Sequence, residues 1–389
     1  MRGTLAGGAL GAFAGCAFGG FDPRRTHTYA ALADCAAVPL MRRFLDPEKA
    51  HEVSVRATSV GLAPRDPGPP IDALRTRVFG RNFDSPVGLA AGYDKHGEAL
   101  EGLLNMGFSF VEVGGVTPLP QDGNPRPRLF RLVADRGVIN RFGLNSHGAD
   151  VVAGRLSKFK ASSTTRGLVG VNLAKNTGND DAEGDYRTGV RKLGPHVDFI
   201  VVNVSCPNVS WSSAMSSTAI SDLVHAVRKE RDDACPGVPV LLKIGPDGPK
   251  KRRALAKLAL DAGVDGLIVS NTSSSRPDTL KSEHRAEAGG LSGAPIKAMA
   301  LETLKDARAV TKGKIPIIGV GGIESGADAY ERIRAGASLV QIYSALVFQG
   351  PGLVGRIKRE LAACLQRDGF DAVEDAVGVD VDVSSYANK

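Results

Sequence analysis

From about Val78 onward, short continuously apolar runs alternate with amphipathic stretches. The runs are Val87–Ala90, Phe110–Val113, Leu168–Leu173, Phe199–Val204, Val238–Ile244, Gly266–Val269, Ile315–Val320 and Leu339–Ile342. Unbroken apolar runs of this length suit strands buried on both faces, as in a parallel sheet. Between them, residues 221–231, 250–262, 297–310 and 327–335 carry helical spacing. Strand and helix alternating through eight units predict a (β/α)8 barrel of the α/β class, rather than an open sheet.

The chain ahead of the barrel reads differently. Residues Gly3 to Phe21 carry no charge, between Arg2 and Asp22, and glycine recurs at Gly3, Gly7, Gly11, Gly15 and Gly19. A run of that length can cross a bilayer, and its glycine ridge suits packing against another helix. Residues 1–25 are therefore expected to be a membrane anchor or a cleaved targeting segment. Residues 26–66 predict two short helices, the second opening at Asp46-Pro47-Glu48 with a capping aspartate and proline in the first turn. Ala50, Val53, Ala57 and Val60 give that helix one apolar face, which either packs on the barrel or shelters an apolar passage. Three prolines between Arg65 and Pro70 mark the linker into residues 67–389, the barrel proper.

Composition narrows the function classes. Hydrophobic residues at 42% with 47 glycines suit a packed, turn-rich enzyme. The net charge of +7 is scattered among acids without a long basic run, which argues against nucleic acid and is equally compatible with contact with anionic lipid. Cys16, Cys35, Cys206, Cys235 and Cys364 are widely spaced and odd in number, so neither a disulfide framework nor a metal site is expected.

Polar residues gather just past the strand ends, where a barrel carries its chemistry. In order these are Ala91 to Lys95, Gly114 to Pro118, Asn172 with Lys175, Asn203 with Cys206-Pro207-Asn208, Lys243, Ser270-Asn271-Thr272, Gly319 to Gly322, and Tyr343-Ser344. Glycines after the seventh strand and a hydroxyl after the eighth suit a phosphate held on backbone N–H groups. Lys243 closes an apolar run and needs an anion: a ligand edge, or an acid such as Asp94 or Asp247. Lys95 suits a substrate carboxylate, with the same acids as alternative partners. The amides of Asn140, Asn203, Asn208 and Asn271 can bracket a planar ring bearing amides and a carboxylate.

At these residues the chain resembles the dihydroorotate dehydrogenase family, from Leu45-Asp46-Pro47 to Asp375-Ala376-Val377-Gly378. The most specific segments are Ala90 to Glu98, Gly123 to Arg128, Ile139 to Gly143, Val202 to Asn208, Gly289 to Gly293 and Ile318 to Gly322. The resemblance implies FMN held by Ala91, Gly92, Gly114, Gly115, Asn172, Asn203, Lys243, Ser270, Gly293, Gly322, Tyr343 and Ser344. It implies dihydroorotate, leaving as orotate, bound by Lys95, Asn140, Arg141, Phe142, Gly143, Leu144, Asn203, Asn208, Asn271 and Thr272. Cys206 is the implied base for the C5 proton, while C6 gives hydride to the flavin. Ubiquinone is the implied acceptor, entering between the N-terminal helices past His51, Arg131 and Tyr343. In a eukaryote, a single N-terminal anchor would place the chain in the mitochondrial inner membrane.

Departures from the pattern are informative. Quinone-linked members usually carry serine at the base and phenylalanine after the Gly143 position. Here Cys206 and Leu144 stand as in soluble members. Gly115 replaces a common Ser or Thr, so only its backbone can make a contact, and Ala57 and Ala63 predict a wider acceptor passage. Three other readings compete: a soluble-type enzyme using fumarate, a flavin-dependent tRNA reductase, and a non-enzymatic membrane flavoprotein. The short tail after Phe370 leaves no room for the RNA-binding domain that the second requires.

Overall fold

The computed structural model describes residues 22–383, except 67, 166, 206–214 and 247. Eight parallel strands close into a barrel. They are β1 (Val87–Leu89), β2 (Phe110–Val116), β3 (Leu168–Leu173), β4 (Phe199–Asn203), β5 (Val240–Ile244), β6 (Gly266–Val269), β7 (Ile317–Val320) and β8 (Leu339–Ile342). β8 pairs with β1 through Val340↔Val87, which closes the ring. The four predicted helices are present as Ser217–Ala234, Pro249–Asp261, Lys297–Thr311 and Gly326–Arg334.

Side chains alternate along each strand, so every second residue faces the barrel axis. On β2 that set is Phe110, Glu112 and Gly114, and on β5 it is Leu241 and Lys243. The interior is therefore layered. Its floor is aromatic: Phe110 lies edge-on to Phe83 and Phe199, with ring centroids 5.4 and 6.1 Å away. Val201, Leu241, Ile268, Ile318 and Leu339 complete this plug. Phe83 comes from the hairpin Thr76–Val78 and Arg81–Phe83, which covers the barrel's base. Two glycines make room for the rings. A Cβ on Gly88 would lie 2.3 Å from Phe110, and one on Gly170 would lie 2.0 Å from Phe199.

Ahead of the barrel, helix runs through His27–Leu32, a widened π turn at Ala33–Ala37, and Val38–Phe44. The second helix, Pro47–Ser59, starts where the sequence places it, with Asp46 Oδ1 accepting from the N–H groups of Glu48 and Lys49 at 3.1 and 3.0 Å. Such a cap is worth ~1 kcal/mol. The helices leave Leu32, Leu40, Phe44, Val53 and Val60 exposed. Among the described residues no helix is long and apolar enough to cross a membrane; the proposed span Gly3–Phe21 lies outside them.

A further element was not predicted. Leu129–Leu132, Gly137–Asn140 and Gly290–Gly293 form a three-stranded antiparallel sheet, which brings Asn140 opposite Gly290.

Candidate active site

Above the aromatic floor lies a polar layer built around Glu112, which is fully buried. Its carboxylate accepts from Lys243 Nζ at 3.1 and 3.3 Å, from Asn172 Nδ2 at 2.6 Å and from Gln341 Nε2 at 2.8 Å. A buried carboxylate persists only with such company. An acid beside Lys243 is Glu112, while Asp94 is engaged elsewhere and Asp247 lies outside the described residues. Asp94 accepts instead from the backbone N–H groups of His96, Glu98 and Ala99. The sequence reading missed Glu112 and Gln341.

A chamber of ≈ 400 Å³ opens above this layer. Ala91, Gly92, Gly114, Gly115, Asn172, Asn203, Lys243, Ser270, Gly293, Gly322, Tyr343 and Ser344 all line it. An amide relay crosses its wall: Asn271 Nδ2 donates to Asn203 Oδ1 (3.2 Å), and Asn203 Nδ2 donates to Asn172 Oδ1 (3.1 Å). Ser344 donates to Ser292 Oγ at 2.8 Å, which places two hydroxyls beside Gly293 and Gly322. Gln341 Oε1 is buried in the lining without an acceptor role filled.

One side of the chamber carries the substrate candidates. Lys95, Asn140, Phe142, Gly143, Leu144, Asn271 and Thr272 line it. Lys95 Nζ donates to Gly92 O at 2.9 Å and sits 4.0 Å above the Phe142 ring. Burial pulls its ammonium down to about 8, against the opposing pull of the Glu48 carboxylate. Arg141 is a correction, because it lies outside the chamber. Neighbours in extended chain face opposite ways, so Asn140 and Phe142 point in while Arg141 points out. It pairs with Glu287 at 2.6 Å and stacks over Phe130. Cys206 and Asn208 lie outside the described residues.

The other side is apolar and reaches the N-terminal helices, through Ala33, Ala37, Val38, Met41, Ala57 and Ala63. His51, Arg131 and Tyr343 are the polar markers expected here, and all three line the chamber. Tyr343 OH lies 3.4 Å from His51 Nδ1. Burial, with the positive fields of Lys95 and His96, holds His51 well below the usual imidazole range, so it is neutral at pH 7. Burial likewise raises the Tyr343 phenol. Arg131 donates to the carbonyls of Arg42 and Leu45, and so ties the rim sheet to the helices. Tyr93, part of the Ala91–Lys95 strand-end set but given no role of its own from sequence, donates to Ser54 Oγ at 3.1 Å and makes the same kind of tie.

A closed (β/α)8 barrel with a chamber at the C-terminal ends of its strands is the frame of an enzyme acting on small molecules. Comparison narrows the class. The family model for dihydroorotate dehydrogenase matches residues 73–365. Dihydroorotate dehydrogenase (quinone) of Rhodospirillum rubrum is 51% identical over 340 residues, covering 86% of this chain and 92% of its own. The mitochondrial dihydroorotate dehydrogenase (quinone) of Mus musculus is 51% identical, over 88% of this chain and 89% of its own. A crystal structure of DHODH from Eimeria tenella in complex with ferulenol superposes with a TM-score of 0.84 at 39% identity, covering 88% of this chain and 98% of that one. The chain belongs to the dihydroorotate dehydrogenase family.

Proposed function

We propose that the chain oxidises dihydroorotate to orotate with FMN and passes the electrons to ubiquinone, in the synthesis of UMP. One observation carries the reading. A single chamber joins a polar end, with Lys95 and the asparagine relay, to an apolar end under the helices, and His51 and Tyr343 stand between.

The residues present fit FMN. Gly92, Gly114 and Gly115 offer bare backbone to a flat ring. Gln341 Oε1 can accept a ring N–H, and Lys243 and Asn172 offer charge and donors at the same depth. Gly293, Gly322 and Ser344 suit the phosphate. When bound, FMN supplies hydride uptake and electron release, which no side chain provides.

The side chains have separate tasks. Lys95, in its buried setting, pairs with the dihydroorotate carboxylate. Asn140, Asn203, Asn208, Asn271 and Thr272 orient the ring by donating and accepting. Cys206 removes the C5 proton, a role open to a thiol because it ionises more readily than a hydroxyl. His51, Tyr343 and Arg131 place the acceptor's oxygens in otherwise apolar walls. Exposed Leu32, Leu40 and Phe44 suit helices that rest in a lipid surface, and residues 1–25 would add an anchor. With that anchor, the mitochondrial inner membrane is the proposed site in a eukaryote.

Assays of the purified chain with decylubiquinone and with fumarate, with and without residues 1–25, test this reading. Decylubiquinone turnover should dominate, and removing residues 1–25 should weaken binding to vesicles. Dominant fumarate turnover would overturn the quinone assignment in favour of the soluble-type chemistry to which Cys206 and Leu144 point.

A further inference from the structure

Arg332 is the largest fully buried side chain among the described residues. It lies in the helix Gly326–Arg334, which follows β7. Its one acidic partner is Glu331 at 3.2 Å, itself half exposed, and its Nε is buried without an acceptor. The nearby Asp328 is already committed, to Lys297 Nζ at 2.9 Å and to the Glu324 N–H. An arginine hidden this way needs a purpose, because its charge is retained at any working pH.

Its remaining bonds supply one. Nη2 donates to the carbonyls of Lys297 (2.7 Å) and Gly321 (3.2 Å). Gly321 and Gly322 line the chamber at its phosphate end, and Gly322 packs so closely on Lys297 that a Cβ would lie 2.7 Å from its Cα. The peptide joining Gly321 and Gly322 is trans, so its C=O and N–H point in opposite directions. Holding the Gly321 carbonyl from behind therefore turns the Gly322 N–H away from Arg332. That N–H has no acceptor among the described residues. Positive φ at both glycines (115° and 70°) makes this arrangement open to glycine and strained for other residues.

We propose that Arg332 is a positioning residue for phosphate recognition: from behind the wall, it fixes the Gly321–Gly322 peptide so that a phosphate monoester is read by backbone N–H. Arg332 does not touch the ligand. The inference rests on the FMN reading above, and the ligand class is the terminal phosphate of that flavin.

The test compares FMN with riboflavin, which lacks only the phosphate. Flavin is stripped from the full-length chain, and both ligands are titrated by fluorescence quenching into wild type, Arg332→Met and Arg332→Lys. Wild type should prefer FMN. Arg332→Met should lose at least tenfold of that preference while riboflavin affinity stays within about twofold. Arg332→Lys keeps the charge, but its shorter side chain does not bring an ammonium to the position of Nη2, the one nitrogen that holds both carbonyls, so this variant should fall between. Equal losses for both flavins, or an unchanged preference, would overturn the proposal by reducing Arg332 to a packing role. Should Arg332→Met not fold, the ratio in Arg332→Lys decides in the same way. A wild type without any preference for FMN would refute the FMN reading itself, an outcome distinct from the others.

Discussion

Replacing Glu112 by glutamine tests the polar layer beneath the chamber. In the wild type one carboxylate serves Lys243, Asn172 and Gln341, all out of water. Glu112→Gln removes the negative charge and leaves the Lys243 ammonium buried without a counter-ion. It also sets a new N–H₂ against groups that already donate. Breaking a buried pair by removing one partner costs ~3–5 kcal/mol. Some bonds to the glutamine oxygen survive, so a loss of about 3 kcal/mol is expected. Urea unfolding of the flavin-free chain, followed by circular dichroism, measures it without a contribution from cofactor binding. With an m-value of ~3 kcal/mol/M, the midpoint should fall by about 1 M. Lys243→Met added to Glu112→Gln removes the stranded charge and should recover roughly 2 kcal/mol of the loss. A single variant within ~0.5 kcal/mol of wild type, or strictly additive effects in the double variant, would refute the claim that these residues act as one buried unit.

Other outcomes follow from the substrate side. Because burial lowers Lys95 to about 8, its charged form is progressively lost above that pH, and KM for dihydroorotate should rise roughly tenfold per pH unit. For stability the sign is opposite: the depressed value penalises the folded chain below about 8, and the penalty fades as pH rises toward the usual lysine value. Lys95→Met should give a high and pH-independent KM, whereas a flat wild-type KM between about pH 7 and 9.5 would contradict the assigned role. Cys206→Ala should retain FMN yet slow anaerobic flavin bleaching by dihydroorotate ~10²–10⁴-fold. Unchanged bleaching would show that another group takes the proton. Cys206→Ser should move the pH profile of that step to the alkaline side, and an unmoved profile would argue against a working thiolate.

The barrel was legible in the sequence because its strands are buried on both faces, so each reads as a predominantly apolar run. The same property hid the polar layer. Glu112 and Gln341 are single polar residues inside such runs, with nothing local to show that they meet across the barrel axis. Alternation held the clue: Phe110, Glu112 and Gly114 share one face and form successive layers. The three-stranded rim sheet was invisible for another reason. It pairs Gly137–Asn140 with Gly290–Gly293, residues far apart in sequence, and no turn signal joins them. That pairing sends Asn140 inward and Arg141 outward, a distinction that the shared segment Asn140-Arg141-Phe142 could not make. Arg332 sat in a stretch correctly read as amphipathic helix, where an arginine suggests the solvent face. Its burial follows from tertiary contacts with Gly321 and Lys297.

The aromatic plug of Phe83, Phe110 and Phe199 gives the barrel a closed floor, like a flask. Among the described residues the base is filled, so whatever rests on the Glu112 layer has entered past the rim. The same rim is roofed by the helices. Loading therefore has an order: the molecule seated deepest goes in first and comes out last. A cofactor kept for many turnovers belongs at the bottom of such a flask, and the molecules exchanged at every turnover belong near its neck.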